Sequence, residues 1–318
     1  MKRRLFLISF IVSALIFALH PQARAVDISI GGGTLFNWWN PPWNNRKIVL
    51  YTPNIYTLSL SDWPTYPVNA SYCYGPDLSI RFLRNIEISA SFRYSRADMT
   101  GGGPSLVPNA GHQQITIAYD LYDTYARAGY YVLDFLMPYA GLRVELVKDT
   151  IDFSQFGYPM GSPTFNLTVA SMKGEMLKFT PELGLHFTVP LSSFFTFLYD
   201  ISFTFQSGNE KHDYLVMIDH WKPMLDTPPI PTGRYYAAGV STLLALKFNI
   251  PKIDTSISAG GYYRLLNYFQ KRGDRGLFNF DQSLDHTYGV TLSVTYTFST
   301  AKHTDRSIWM PRPSYPAR

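Results

Sequence analysis

The feature that most constrains this chain is a strict two-residue alternation that recurs along it without any long apolar run. From Tyr288 to Phe298 the even positions read Tyr, Val, Leu, Val, Tyr, Phe, and the odd positions are Gly289, Thr291, Ser293, Thr295 and Thr297. Side chains on a strand point alternately to its two faces, so this is a ribbon with one apolar face and one small, polar face. Residues 195–205 repeat it, with Phe195, Phe197, Tyr199, Ile201, Phe203 and Phe205 against Thr196, Asp200, Ser202 and Thr204. Residues 86–94 set Ile86, Ile88, Ala90, Phe92 and Tyr94 against Glu87, Ser89, Ser91 and Arg93. Residues 177–189 set Leu177, Phe179, Leu183, Leu185, Phe187 and Val189 against Lys178, Glu182, His186 and Thr188.

Alternation alone fits both a soluble sandwich, with its apolar stripes packed inward, and a membrane barrel, with those stripes facing lipid and the charges lining the lumen. Three further features select the barrel. The first is the leader: Lys2, Arg3 and Arg4 precede an apolar run from Leu5 to Leu19, and Ala23-Arg24-Ala25 supplies a small-x-small cleavage site. The run falls short of the roughly 20 apolar residues of a spanning helix, so residues 1–25 read as a cleaved signal peptide. The second is composition. Charged residues are 16% and aromatic residues 16%, against the roughly 25% charged residues of soluble domains.

The third is loop asymmetry. Short turns are expected at Arg84-Asn85, Asp134–Met137, Pro190–Ser193 and Asn249–Lys252, and long polar or Gly/Pro-rich connections near 38–53, 99–112, 151–174, 207–233 and 271–286. Strict alternation of four short turns with five long loops predicts a ten-stranded antiparallel transmembrane β-barrel, with periplasmic turns and extracellular loops. An even count closes the sheet, as lipid requires. The barrel is expected over 26–298, followed by a basic, Pro-containing tail at 299–318.

Ten strands enclose a narrow lumen. The expected inward set is Glu87, Arg93, Asp120, Arg143, Glu145, Lys178, Glu182, Asp200 and Lys247. Mixed signs at close quarters pair, which predicts a filled lumen in place of a pore.

Several function classes drop away. Four of the 28 Lys and Arg residues lie in the leader, leaving 24 against 23 acids, so the basic balance is no argument for nucleic acid. The single cysteine, Cys73, excludes an intramolecular disulfide. His112, His212, His220 and His286 fall on outer loops or strand tops without metal-ligand spacing and read as solvated rim residues. Asp219-His220 and Asp285-His286 are sequence neighbours, which a strand sends to opposite faces, whereas Glu210 and His212 share one. Trp38, Trp39 and Trp43 read as an interfacial anchor in preference to a partner patch. Gly101–Gly103 has no adjoining helix to make a phosphate loop.

With the strands placed, the chain resembles the omptin family of ten-stranded outer-membrane endopeptidases over residues 27–298. Ser59-Leu60-Ser61-Asp62-Trp63, expected to open the second strand, resembles the family's Ser-x-Leu-Asp-Trp. Lys178 to Leu185 is similar to its Phe-Lys-Met-Pro-Tyr-Ile-Gly-Leu strand, and Ser207 to His212 resembles the loop that carries its Asp-x-His pair. Arg234-Tyr235-Tyr236 and Tyr296-Thr297-Phe298 stand where the family opens its eighth strand and closes its last.

The resemblance implies cleavage between basic residues by water activated between an Asp–His pair and two opposing aspartates. Glu210 and His212 correspond to the first half, and Asp98 is the one acid corresponding to the second, in the stretch Ser95 to Gly103. The acidic pocket for a basic substrate side chain has no counterpart in Trp38-Trp39-Asn40-Pro41-Pro42-Trp43. Two functions therefore remain open: a surface endopeptidase with a modified site acting on extracellular peptide or protein, and a catalytically inactive adhesin, receptor or structural barrel. No cofactor is expected beyond lipopolysaccharide or a similar lipid, which the resemblance implies as an outward-bound ligand, and a monomer in outer-membrane lipid is expected.

Overall fold

The computed structural model describes residues 26–40, 49–51, 57–59, 69–82, 85–104, 112–156, 166–212, 232–270 and 284–299. The expected leader and tail lie outside them. In chain order the strands are β1 (Val26–Asn40), β2 (Val49–Tyr51), β3 (Thr57–Ser59), β4 (Asn69–Phe82), β5 (Ile86–Pro104), β6 (His112–Tyr130), β7 (Leu136–Phe156), β8 (Asn166–Pro190), β9 (Phe195–His212), β10 (Gly233–Ile250), β11 (Thr255–Phe269) and β12 (Leu284–Ser299). All but β2 and β3 form one closed antiparallel barrel in the order β1-β12-β11-β10-β9-β8-β7-β6-β5-β4, and β2 pairs only with β3. Ten strands close the wall, as the turn map required.

The alternation becomes the two faces of that wall. Outward stand Leu183, Phe203, Leu244, Val290, Leu292 and Val294, all exposed where a soluble core would hide them. Tyr72, Tyr74, Tyr236 and Tyr288 ring the upper end of this apolar band and Tyr296 and Phe298 the lower, as interfacial aromatics do.

Inward stand the polar and charged positions. Near the short-turn end Arg127 lies 3.1 Å from Asp200 and 3.6 Å from Glu87, and His186 lies 3.0 Å from Asp200. The Tyr131 hydroxyl donates to Glu87 at 3.1 Å, beneath the Arg81 guanidinium. Midway up, Arg143 sits between Asp123 (3.9 Å) and Glu182 (3.6 Å), and Arg93 pairs with Asp77 at 2.6 Å. Higher still, Arg264 donates to Glu145 at 2.9 Å from four strands away around the wall. Gln206 donates to the same carboxylate at 3.2 Å and accepts from the Tyr268 hydroxyl at 2.9 Å. These bonds span the lumen and fill it. Two inward glycines make room for tyrosine rings: a Cβ at Gly208 would overlap the Tyr235 ring, and one at Gly184 the Tyr139 ring.

Three expectations need correction. Ser59 does not open the second strand of the wall; residues 57–59 pair with 49–51, and the wall resumes at Asn69. The segments expected as loops from 99, 151 and 207 continue as strand, β5 to Pro104, β7 to Phe156 and β9 to His212, and β8 already begins at Asn166, because pairing runs on above the apolar band. Gly101–Gly103 accordingly sits within β5, opposite Ile115–Gln113. Asp120 is the one member of the expected inward set that points out. On β6 the odd positions Tyr119, Asp123, Tyr125 and Arg127 face the lumen, and Asp120 accepts from the Tyr94 hydroxyl on the outer face at 2.8 Å.

Candidate functional site

The long-loop end of the barrel brings together some of the expected residues and separates others. Glu210 is fully buried on the lumen face of β9, in register with Met176 of β8 and Gly233 of β10. Tyr235, also fully buried, lies over the neighbouring Gly208. His212 is the last residue of β9, in register with Gly174 of β8. Its side chain lies outside the described residues.

Asp98 does not join them. It is exposed on β5 and in register with Ala118, and the flanking Ser95 and Ala97 are the residues that turn inward. Two-residue alternation leaves it no other face. Asp98 and Glu210 therefore stand on opposite faces of the wall, four strands apart in the barrel order. Among the described side chains, Asp98 and Glu210 do not face one another across the lumen.

The upper lumen holds instead a set that no motif marked. Asp285 is buried and accepts from the Tyr268 hydroxyl at 3.3 Å, while its neighbour His286 lies outside, with Nδ1 3.2 Å from the Tyr263 hydroxyl. Asn37, Ser71 and Cys73 form a small polar knot between β1 and β4, in which the Ser71 hydroxyl donates to Asn37. Of the three tryptophans read as an anchor, Trp38 packs outside, stacked on Tyr288 at 5.7 Å and edge-on to Phe36 at 4.6 Å. The Trp39 side chain and Trp43 lie outside the described residues.

The outer face carries a second feature. Successive cross-strand partners Arg96, Asp120, Lys148, Glu175 and Lys211 form one register row across β5 to β9, alternating in sign at every strand. The row borders a groove of about 390 Å³, to which Ala118, Thr150, Lys173 and Gly174 also contribute. Four cations line it against three acids, Asp120, Asp149 and Glu175, and the Lys148 ammonium lies 6.0 Å from the Tyr122 ring centre. The groove sits one step above Tyr94 and Tyr122, at the edge of the apolar band. Sequence reading missed it because register between strands belongs to no single strand.

The chain has the fold of an outer-membrane β-barrel. Among solved structures it is similar to the outer membrane protease OmpT from Escherichia coli, at 12% identity over 87% of this chain and 97% of that one, with a TM-score of 0.46. It is also similar to the toluene transporter TodX of Pseudomonas putida (10% identity, 88% and 90% covered, TM-score 0.31). The transport unit of the autotransporter AIDA-I from Escherichia coli matches at 9% identity, 88% and 92% covered, with a TM-score of 0.32. No family model and no curated protein matches the chain. Likeness at this level concerns architecture alone, and no chemistry follows from it.

Proposed function

We propose that this protein is a non-conducting, omptin-like barrel of the outer membrane that serves as a surface receptor or adhesin through its extracellular rim, without omptin-type proteolysis. The observation that carries this reading is the exposed position of Asp98 on the outside of the wall, away from the buried Glu210. A general base needs the groups that hold its water within hydrogen-bond reach of the same reacting atom. The ion pairs that bridge the lumen support the non-conducting part, since charges fixed on one another leave no water-filled path. The outer groove, with four cations against three acids, supports a seat for an anionic lipid headgroup, lipopolysaccharide among them, beside a monomeric barrel.

Refolded protein given a library of dibasic fluorogenic peptides tests the first part. The expected trace matches that of a His212→Ala control; cleavage that disappears in the control overturns the reading in favour of an endopeptidase built on Glu210 and His212. Planar-bilayer recording tests the second part. A flat current is expected, and steady single-channel steps would overturn it.

A further inference from the structure

Above Arg96 the wall opens between β4 and β5. Asn69–Ser71, the top of β4, pair with Trp39–Asn37 of β1, and the Ser71 hydroxyl donates to Asn37. Ala97–Met99 continue β5 past its uppermost pair with β4, Arg96 with Tyr72, and pair with β6 alone. The top of β4 is thus held to β1 and that of β5 to β6. From Ala97 to Pro104 one side of β5 is paired with no strand among the described residues. That length of strand extends on the order of 25 Å.

The pairing below fixes how this edge presents its backbone. The Tyr131 amide donates to the Asn85 carbonyl at the foot of the β5–β6 ladder, and the register continues unshifted to Pro104. Amide and carbonyl of one strand residue point the same way, and successive residues alternate between neighbours. Odd residues of β5 therefore bond to β6, and even ones face the β4 side. The Phe92 carbonyl agrees, since a Cβ on Gly75 of β4 would overlap it. Asp98, Thr100 and Gly102 consequently turn both amide and carbonyl to the open side. Exposed edges are ordinarily blunted by a lysine, a proline or a bulge. None of these interrupts β5 between Ala97 and Gly103, and Gly101–Gly103 carry no side chain to hold a second backbone away.

We infer that the upper edge of β5 is a docking site for an extended peptide, which adds to the sheet as an antiparallel strand in the sense of β4 below it. The occupant is a peptide because a row of main-chain donors and acceptors at strand repeat is matched by another main chain, and not by a lipid headgroup or a sugar. The outward side chains of the edge set the sequence preference. Asp98, exposed and without an ion pair among the described residues, favours a cation opposite it. Thr100 favours a β-branched partner, and Gly102 an aromatic ring that lies over the bare backbone. Along an antiparallel partner the order is aromatic, β-branched, basic, at every second residue. Asp98 thereby gains a role outside any hydrolytic centre. The inference goes beyond the receptor reading and holds whether the seated peptide is retained or cleaved.

The probe is a fluorescein-labelled peptide, Ser-Tyr-Ser-Val-Ser-Lys-Ser, read by anisotropy against the full chain refolded in phosphatidylethanolamine–phosphatidylglycerol vesicles. Gel mobility before and after heating checks folding. N-methylation of the valine, whose amide faces Thr100, is expected to weaken binding roughly tenfold. N-methylation of the serine after it, whose amide faces away, is expected to leave binding within about twofold. Gly102→Pro removes an edge amide without touching the β6 ladder and should weaken binding as the first methylation does. Asp98→Lys, which also stands in if Gly102→Pro fails to fold, should weaken it until the peptide lysine is changed to glutamate. Equal binding of the two methylated peptides, or none at millimolar peptide, overturns the inference. A concentration-dependent dimer in detergent that Gly102→Pro abolishes would identify a second copy as the occupant and overturn it too. Cleavage of the bound peptide would overturn the receptor reading and leave the docking edge standing.

Discussion

Replacing Arg264 with Met removes one end of the best-formed bridge across the lumen and tests whether that lumen is dry. Arg264 meets Glu145 at 2.9 Å, with both side chains under one-tenth exposed. For charge centres about 4 Å apart the attraction is about 4 kcal/mol at an effective dielectric of 20 and about 1 kcal/mol in bulk water. Losing one partner of a buried pair destabilises by about 3–5 kcal/mol, because the remaining charge stays buried. Lys178 at 4.0 Å and Gln206 at 3.2 Å still touch Glu145, which points to the lower end, about 3 kcal/mol. Glu145→Gln should lose a similar amount, and the double variant less than the sum by about 2 kcal/mol. The assay is urea unfolding in lipid vesicles, followed by tryptophan fluorescence at low and high salt. A coupling below about 0.5 kcal/mol, or one that salt abolishes, would mean a screened, water-filled interior. The pairs would then decorate a channel, and the non-conducting reading would be wrong.

Other substitutions probe the wall. Gly208→Val drives a branched side chain into the Tyr235 ring and should lower stability by about 1–3 kcal/mol in the same unfolding assay, with Gly208→Ala losing less. Leu183→Arg, on the lipid face near mid-wall, should lower it by about 2–4 kcal/mol in vesicles. Arg96→Glu combined with Lys148→Glu should reduce co-purifying anionic lipid several-fold by native mass spectrometry while leaving the heat-dependent gel shift unchanged. Cys73 is buried, so maleimide should label it only after denaturation, read by intact mass.

The sequence was legible where lipid and lumen make opposite demands on successive residues. From Tyr288 to Phe298 every outward side chain is apolar and every inward one small or polar, and from Phe195 to Phe205 Leu198 alone departs from that pattern, so face assignment follows from parity. On β6 the demand weakens. Its outward positions include Ala118, Thr124 and Ala126, its lumen face includes Tyr119 and Tyr125, and Asp120 lies between two residues as apolar as itself is polar. Parity there had no clear stripe to anchor it. Above the apolar band no acyl chain constrains the outer face, so the polar extensions of β5 and β7 carry the composition of loops. Asp98 lies in that region, where acidity and position along the chain were legible and the face was not.

The charges of this barrel divide into two populations with different work. Inside, acids and bases are matched across the lumen, Glu145 with Arg264 and Asp200 with Arg127, and such pairs hold opposite walls at a fixed separation. A ligand arriving at the rim cannot be accommodated by spreading those walls without breaking several buried pairs at once. On the proposed receptor reading, recognition is confined to what surrounds the paired interior: the loops and the outer face of β5 to β9. That face carries the alternating row from Arg96 to Lys211. Groove and extended strands thus fall on one side of the barrel, held in register by a rigid interior.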